Sequence, residues 1–168
     1  METSSVGEDI IAEYFDEKSI KYIRQFKVSN LKGDHMPYRS ADFYLPKYKV
    51  YVEFLGKWDD NNAKEKYRDK KEVYSKNNIP CIYIYPDNLG VFNFIFKRRL
   101  RDVFNRHPKL KFQKFLYNLD IIQDEYIIVL MIIGVLFYYI DNMIVRVILA
   151  ILFLLAFYKA MKSTFFRK

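Results

Sequence analysis

Two short apolar runs in the first third of the chain, residues 41–45 and 48–54, are separated by a turn, and each contains a single acidic residue. The acidic residues are Asp42 and Glu53. A carboxylate inside an apolar strand is unfavourable unless a partner stabilises it. Because a hairpin brings its two strands side by side, the pattern predicts paired strands whose carboxylates can share a divalent cation.

The segments around this hairpin predict an α/β fold. Three segments have helical apolar spacing and two have the apolar pattern of strands: residues 6–22, 63–77 and 88–105 for the helices, and residues 22–29 and 79–85 for the strands. The order helix, strand, strand, strand, helix, strand, helix implies a mixed β-sheet flanked by helices.

The apolar faces of the first and last of these helices predict the core of the sheet domain. Their members are Ile10, Ile11, Tyr14 and Phe15 on the first helix and Leu89, Phe92, Ile95 and Phe96 on the last. Cys81 is the only cysteine, so no internal disulfide can form, and its place in a strand-like run predicts a buried, small apolar residue.

The C-terminal third of the chain is far more apolar. Residues 126–140 contain no charge, Asp141 and Asn142 follow, and residues 143–158 contain Arg146 as their only charge. At about 1.5 Å of rise per residue, each run nearly spans the ~30 Å hydrocarbon layer of a bilayer. The pattern predicts a transmembrane helical hairpin through residues 126–158. A buried soluble hairpin and a single helix of 33 residues are the alternatives.

The distribution of charge predicts the partners and the domain boundaries. The formal net charge of +8 favours nucleic acid or anionic lipid. We expect a domain over residues 1–105, a basic juxtamembrane linker over 106–125, the hairpin over 126–158 and a basic tail over 159–168. Anionic lipid headgroups suit the linker, and basic residues on both sides of the hairpin place the N-terminal domain and the tail in the cytoplasm.

Five motifs occur together within about residues 5–105. They are Gly7-Glu8, Ala41-Asp42-Phe43-Tyr44-Leu45-Pro46, Val50-Tyr51-Val52-Glu53-Phe54-Leu55-Gly56, the basic segment Lys70-Lys71-Glu72-Val73-Tyr74 and the strand-like run Ile79 to Asp87. In these motifs the sequence resembles the PD-(D/E)XK nucleases, and within them the very-short-patch-repair-like branch of restriction-endonuclease-like folds.

The resemblance implies a Mg²⁺ site, with Mn²⁺ as a substitute. It implies that Asp42 and Glu53 are direct ligands, that the backbone carbonyl of Phe54 is a third, and that Glu8 acts through water or a second metal. A lysine of this family usually stands two residues after the glutamate, where this chain has Leu55. Lys70 is the preferred replacement, and Lys71, Lys57 and the absence of a functional lysine stay open.

Basic residues near the predicted site are candidates for nucleic-acid contact. They are Lys32, Arg39, Lys57, Lys71, Arg98, Arg99 and Arg101. The chain is therefore predicted to be a membrane-anchored, Mg²⁺-dependent endonuclease of DNA, with RNA open as a substrate and a homodimer expected if both strands are cut. The alternatives are a nuclease-like domain that has lost catalysis and binds nucleic acid or a protein at the membrane, and a purely structural membrane protein.

Overall fold

A computed structural model describes residues 5–140 and 142–165, and for residues 121–131, 144 and 159–165 it describes the backbone alone. The chain forms two compact units, Met1–Lys114 and Phe115–Lys168. The predicted basic tail over 159–168 lies outside the residues with described side chains. So does Asp141 in the predicted turn of the hairpin.

The first unit has the predicted order of elements. Its helices and strands are α1 Val6–Glu17, β1 Ile23–Ser29, β2 Tyr38–Leu45, β3 Val50–Phe54, α2 Asn61–Lys76, β4 Cys81–Ile84 and α3 Phe92–Arg106, with 3-10 turns at Pro86–Val91 and Pro108–Leu110. The first helix is shorter than the predicted 6–22. It ends because Ser19 adopts a left-handed φ of 51°, which turns the chain out of the helix.

The four strands form one mixed sheet in the order β1-β2-β3-β4, so the α/β fold with a mixed sheet is confirmed. The first three strands are antiparallel to their neighbours, and β4 runs parallel to β3. In the β2–β3 pair, Phe43 faces Val52 and Tyr44 faces Tyr51. One step further along this register, Asp42 on β2 lies opposite Glu53 on the adjoining strand β3.

Apolar side chains cover both faces of the sheet. On one face, the ring of Phe15 in α1 contacts the rings of Phe43 and Phe96, at centroid distances of 5.5 and 5.4 Å. On the other face, Tyr74 of α2 is fully buried in a cluster that includes Cys81. The burial predicted for Cys81 is thus confirmed.

The predicted core faces of the helices need one correction. Ile11 and Phe15 are fully buried, but Ile10 is 40% exposed. The buried stripe of α1 is centred on Ile11 and Phe15, which are four residues apart and share one side of the helix, so the neighbouring position 10 turns outward. On α3, Phe92 and Phe96 are buried as predicted, and Ile95 is only half-buried.

Two glycines allow the Phe54 ring to pack at the end of β3. A Cβ atom added at Gly7 would lie 2.2 Å from this ring, and one added at Gly56 would lie 2.7 Å from it. Gly7 belongs to the first turn of α1, so the Phe54 ring sets the distance between α1 and the end of β3.

Gly7→Ala is expected to destabilise the protein by about 1–3 kcal/mol because the added methyl group overpacks the Phe54 ring. Urea unfolding measures the change. Gly90→Ala is the matched control, since a Cβ at Gly90 meets nothing within 4 Å. Equal unfolding free energies for the two variants would show that α1 can shift away from β3 without cost.

The second unit contains helix α5, Met143–Phe165, and most of helix α4, Lys111–Tyr139. The guanidinium of Arg146 donates to the backbone carbonyl of Ile140 at 2.6 Å, just beyond the end of α4. Among the residues whose side chains are described, no helix is long and apolar enough to cross a membrane. In the first arm of the predicted hairpin, residues 126–131 have side chains outside this description, and the transmembrane hairpin stays a prediction.

Candidate active site

An open cleft of about 810 Å³ lies where α1 begins and β3 ends. Its walls include the first turn of α1, the middle of β1 and β2, and the chain that follows β3. The side chains that matter chemically are Glu8, Gln25, Asp42, Lys57 and Tyr67. The cleft therefore brings two of the predicted acidic residues and one of the predicted lysines to a single surface.

Asp42 is half-buried in the wall of this cleft. Its Oδ2 accepts a hydrogen bond of 2.7 Å from the backbone N–H of Phe54. Burial raises the pKa of Asp42 to about 6, and the nearby negative charge of Glu8 adds to the rise, while the Phe54 N–H and the charge of Lys70 oppose it. Because burial makes ionisation of Asp42 unfavourable, a bound cation would stabilise its charged form.

Glu53 lies deeper, with only 2% of the residue exposed. Its Oε2 accepts from the Lys70 ammonium at 2.6 Å, and its Oε1 accepts from the Tyr74 hydroxyl at 3.3 Å. Burial raises the pKa of this carboxyl, and the positive charge of Lys70 counteracts the rise. Because both oxygens already have donors, a cation at Glu53 must share the carboxylate with these side chains or displace them.

The three candidate lysines occupy different places. The Lys70 ammonium lies between Glu53 and the backbone carbonyl of Ser40, at 2.6 Å from each oxygen. The Lys71 ammonium contacts the Tyr85 hydroxyl at 3.1 Å, away from Glu53, and Lys57 lines the cleft. Leu55 is 1% exposed and packs in the core. Of these lysines, Lys70 is the one that the structure brings to the acidic pair.

Glu8 lines the cleft and also bonds to Ser5, the N-cap residue of α1. Its carboxylate accepts from the Ser5 hydroxyl at 3.0 Å, and its backbone N–H donates to the same hydroxyl oxygen. The capping bond gives Glu8 a role in the helix that needs no ligand. Its charge nevertheless reaches Asp42, whose pKa it raises.

Two further residues hydrogen-bond to the acidic pair of Asp42 and Glu53, and neither was predicted as a site residue. Tyr74 donates to Glu53 and stands four residues after Lys70, so helical spacing alone places both on one side of α2. Gln25 hydrogen-bonds to Asp42 and accepts from the Ser40 hydroxyl at 2.8 Å. Its φ of 48° marks an irregularity in β1 at the point where the β1–β2 pairing skips Gln25 and Asp42, and no sequence signal indicates it.

The residues that were predicted to contact nucleic acid and lie outside the cleft differ in exposure and in hydrogen-bond partners. Arg39 is buried, and its guanidinium donates to the carboxylates of Asp34 and Asp69 at 2.7 Å, so it ties the loop before β2 to α2. Lys32 is exposed, Arg98 is exposed and Arg101 is half-buried. The Arg99 guanidinium donates to the backbone carbonyl of Tyr83.

The side chains at this site offer a magnesium ion few ligands, but enough to bind it. Among the residues whose side chains the structure describes, no group of three or more acidic, histidine or cysteine side chains is close enough to hold a metal ion. Asp42 and Glu53 are nevertheless neighbours in the sheet, and Mg²⁺ commonly takes one or two carboxylates and completes its shell with water and substrate phosphate. Two carboxylates meet that requirement.

The raised pKa of Asp42 predicts a pH-dependent stability. The folded protein binds the Asp42 proton more tightly than the unfolded chain, so this residue's contribution to stability is present below about pH 4 and is lost as pH rises through about 6. Asp42→Asn, which does not titrate, should match the wild type near pH 4 and exceed it by up to about 3 kcal/mol above pH 6. Urea unfolding without divalent metal at both pH values measures the difference, and a constant difference would contradict it.

Comparison of the chain with protein-family models, with curated proteins and with solved structures gave no match.

Proposed function

We propose that this protein is a Mg²⁺-dependent endonuclease that hydrolyses DNA phosphodiester bonds and is attached to a membrane by its C-terminal unit. The observation that carries the nuclease proposal is the placement of Asp42 and Glu53 on adjoining strands, with the Lys70 ammonium 2.6 Å from Glu53. Asp42 lines the open cleft, and its pairing with Glu53 and Lys70 supplies carboxylates for a metal ion and a positive charge, which suit metal-assisted phosphodiester hydrolysis.

In this proposal Asp42 and Glu53 hold Mg²⁺ or Mn²⁺, and the Phe54 carbonyl is the third protein ligand. The bound ion supplies Lewis acidity and lowers the pKa of a coordinated water. The chain's own residues orient these ligands. Gln25 and the Phe54 N–H fix Asp42, while Tyr74 and Lys70 fix Glu53.

Lys70 has a second role in the proposed reaction. Its positive charge lies beside the acidic pair, where negative charge builds up on the phosphate as water attacks. Lys57 and Glu8 line the same cleft. Lys57 is suited to hold a flanking phosphate, and Glu8 to hold water or a second ion.

Incubation of the purified full-length protein with supercoiled plasmid and with single-stranded circular DNA tests this function. Nicking or linearisation is expected in Mg²⁺ and not in EDTA, and Glu53→Gln is expected to abolish it. Cleavage that persists in EDTA, or that is equal in the wild type and Glu53→Gln, would refute the proposal.

A second candidate is a nuclease-like domain that binds nucleic acid or a protein without cutting. Two observations favour it: both Glu53 oxygens already accept hydrogen bonds, and Leu55 stands where the family usually has lysine. Metal-independent DNA binding with no cleavage in Mg²⁺ or Mn²⁺ would support this candidate over the enzyme.

The membrane part of the proposal rests on the exposed apolar surface of the second unit. Among its described side chains, the large apolar residues that are more than half exposed include Ile132, Val135, Ile151, Leu154, Leu155 and Tyr158. Such a surface in water is unfavourable and is typical of a membrane or protein contact. We place the first unit and the tail on the cytoplasmic side, as the flanking basic residues favour.

The wild type is expected in the membrane fraction after a wash with alkaline carbonate, because apolar contact does not depend on charge. Leu154→Glu/Leu155→Glu should move a large part of the protein to the soluble fraction, since each exposed apolar contact is replaced by a charge. Val91→Glu is the control, because Val91 is 57% exposed in the first unit. A wild-type protein that is already soluble would contradict membrane attachment.

A further inference from the structure

A second, smaller cavity of about 280 Å³ lies beside β4, between α2 and α3. We call it the β4 pocket. Its polar and aromatic lining consists of Lys71, Tyr83, Tyr85, Arg99 and Arg106, with Asp102 as its one acidic residue. The cleft of the acidic pair has a separate lining.

The three cations of this pocket are not neutralised by carboxylates. Within the part of the chain that the structure describes, none of them has a carboxylate oxygen within 4 Å. Lys71 contacts the Tyr85 hydroxyl, Arg99 donates to the Tyr83 carbonyl, and Arg106 donates to the Asp102 backbone carbonyl. The charge of Asp102 acts on Arg99, but three cations against one carboxylate leave the pocket with a positive balance that suits an anion.

Arg39 shows the opposite arrangement in the same domain. Its guanidinium bonds to the carboxylates of Asp34 and Asp69, so its charge is used within the fold. The cations of the β4 pocket bond to uncharged oxygen atoms instead, and within the described residues no carboxylate oxygen lies within 4 Å of them. They remain available to a ligand.

Aromatic rings connect this pocket with the cleft. The Trp58 ring lies 6.3 Å from the ring of Tyr67, which lines the cleft, and 4.9 Å from the ring of Tyr85, which lines the pocket. The Lys71 ammonium lies 5.5 Å from the Trp58 centroid and 5.7 Å from the Tyr85 centroid. Lys64 also lies over the Trp58 ring and Arg99 over the Tyr85 ring, at 5.3 and 5.5 Å. These cations can bind a phosphate, and a base takes a ring face when the cation over that face moves to the phosphate.

We infer that the β4 pocket binds a phosphate of a single-stranded nucleic-acid segment that extends from the cleft, with a base of that segment stacked on Tyr85 or Trp58. The segment must be single-stranded because a base in a duplex is already stacked and cannot place its face on a protein ring. This inference rests on the proposed function in taking nucleic acid as the ligand. It does not require cleavage.

Binding of a fluorescein-labelled 12-nucleotide DNA strand to the full-length protein tests the inference. Fluorescence anisotropy is measured in Ca²⁺ without Mg²⁺ at several salt concentrations, so that binding is read without turnover. Lys71→Gln is expected to weaken binding roughly tenfold and to reduce the salt slope by about 0.7, the value for one phosphate contact on a single strand. Tyr85→Ala should weaken binding by a similar factor, and Tyr85→Phe should restore it because the ring is kept.

Lys76→Gln is the matched control, because Lys76 is on the same helix and its removal changes the net charge equally. Wild-type affinity in Lys71→Gln and Tyr85→Ala would overturn the inference. Equal loss in Lys71→Gln and Lys76→Gln would also overturn it, since net charge alone would then explain the effect. Thermal unfolding confirms that each variant is folded.

Two further probes identify the form of the ligand. Duplex DNA of the same sequence should bind more weakly than the single strand, and equal loss of duplex affinity in Tyr85→Ala would overturn the stacked single strand. Deoxyadenosine monophosphate should not compete below millimolar concentration. Micromolar competition would overturn the extended strand in favour of a free nucleotide. A protein that binds the strand through Lys71 but does not cut DNA in Mg²⁺ would refute the proposed nuclease and leave the β4 pocket intact.

Discussion

Replacing Asp42 with asparagine is expected to reduce the proposed Mg²⁺-dependent DNA cleavage by a factor of about 10²–10³ or more, because the proposed ion would lose an anionic ligand that neutralises part of its charge. Asparagine keeps the shape of the side chain and can still accept from the Phe54 N–H, which donates to Asp42 at 2.7 Å. The fold should therefore survive. Initial rates of plasmid nicking measure the loss.

Asp87→Asn is the matched control for this variant, because Asp87 is an exposed aspartate of the same unit outside the cleft. Its rate should equal that of the wild type. A wild-type rate in Asp42→Asn would show that Asp42 is not a metal ligand. The stability comparison at pH 4 and above pH 6 would still measure the free-energy cost of burying the Asp42 charge.

Replacing Lys70 with methionine is expected to destabilise the protein by about 3–5 kcal/mol at pH 8 or above, because the buried Glu53 carboxyl then either stays charged without a counter-charge or takes up a proton from basic solution. The Lys70 and Glu53 side chains are 18% and 3% exposed. Burial already raises the pKa of Glu53, and loss of Lys70 raises it further. The raised pKa favours the neutral carboxyl at pH 5, so the loss should be smaller there. Urea unfolding at the two pH values measures both effects.

Lys76→Met on the same helix is the control for this ion pair. Lys76 pairs with Glu72 at the same 2.6 Å, but their side chains are 64% and 65% exposed, so water stabilises the remaining charge. Lys70→Met/Glu53→Gln should recover much of the lost stability because no buried charge remains. Equal losses in Lys70→Met and Lys76→Met would show that water reaches Glu53 freely.

The order of elements and the pairing of the two acidic residues could be predicted because both depend on local patterns. Residues 41–45 and 50–54 are strongly apolar on either side of a turn, and such runs pair as neighbours. The crossover through a charged helix then places β4 beside β3. The choice of Lys70 over Lys71 also follows from helical spacing, since Lys70 and Tyr74 share one side of α2.

The remaining features depend on contacts between distant parts of the chain. From the sequence alone, Arg39 is predicted to be an exposed basic residue in a polar loop. Its partner Asp69 lies 30 residues later, and the position of Asp69 is fixed only when α2 packs on the sheet. Gln25 reaches Asp42 because the β1–β2 pairing is interrupted at both residues. The exposure of Ile10 depends on which neighbours cover α1, which the periodicity of a single helix does not specify.

The Phe54 ring lies between Gly7 and Gly56. The segment that carries Glu8 and the segment that carries Glu53 therefore restrict the size of each other's side chains. A larger residue at position 7 fits best if position 54 becomes smaller, and the same holds for a larger residue at position 56. Over evolution, substitutions at these three positions are therefore expected to occur together rather than independently. In a directed-evolution library, active variants should show covariation among positions 7, 54 and 56 well before Glu8 or Glu53 changes.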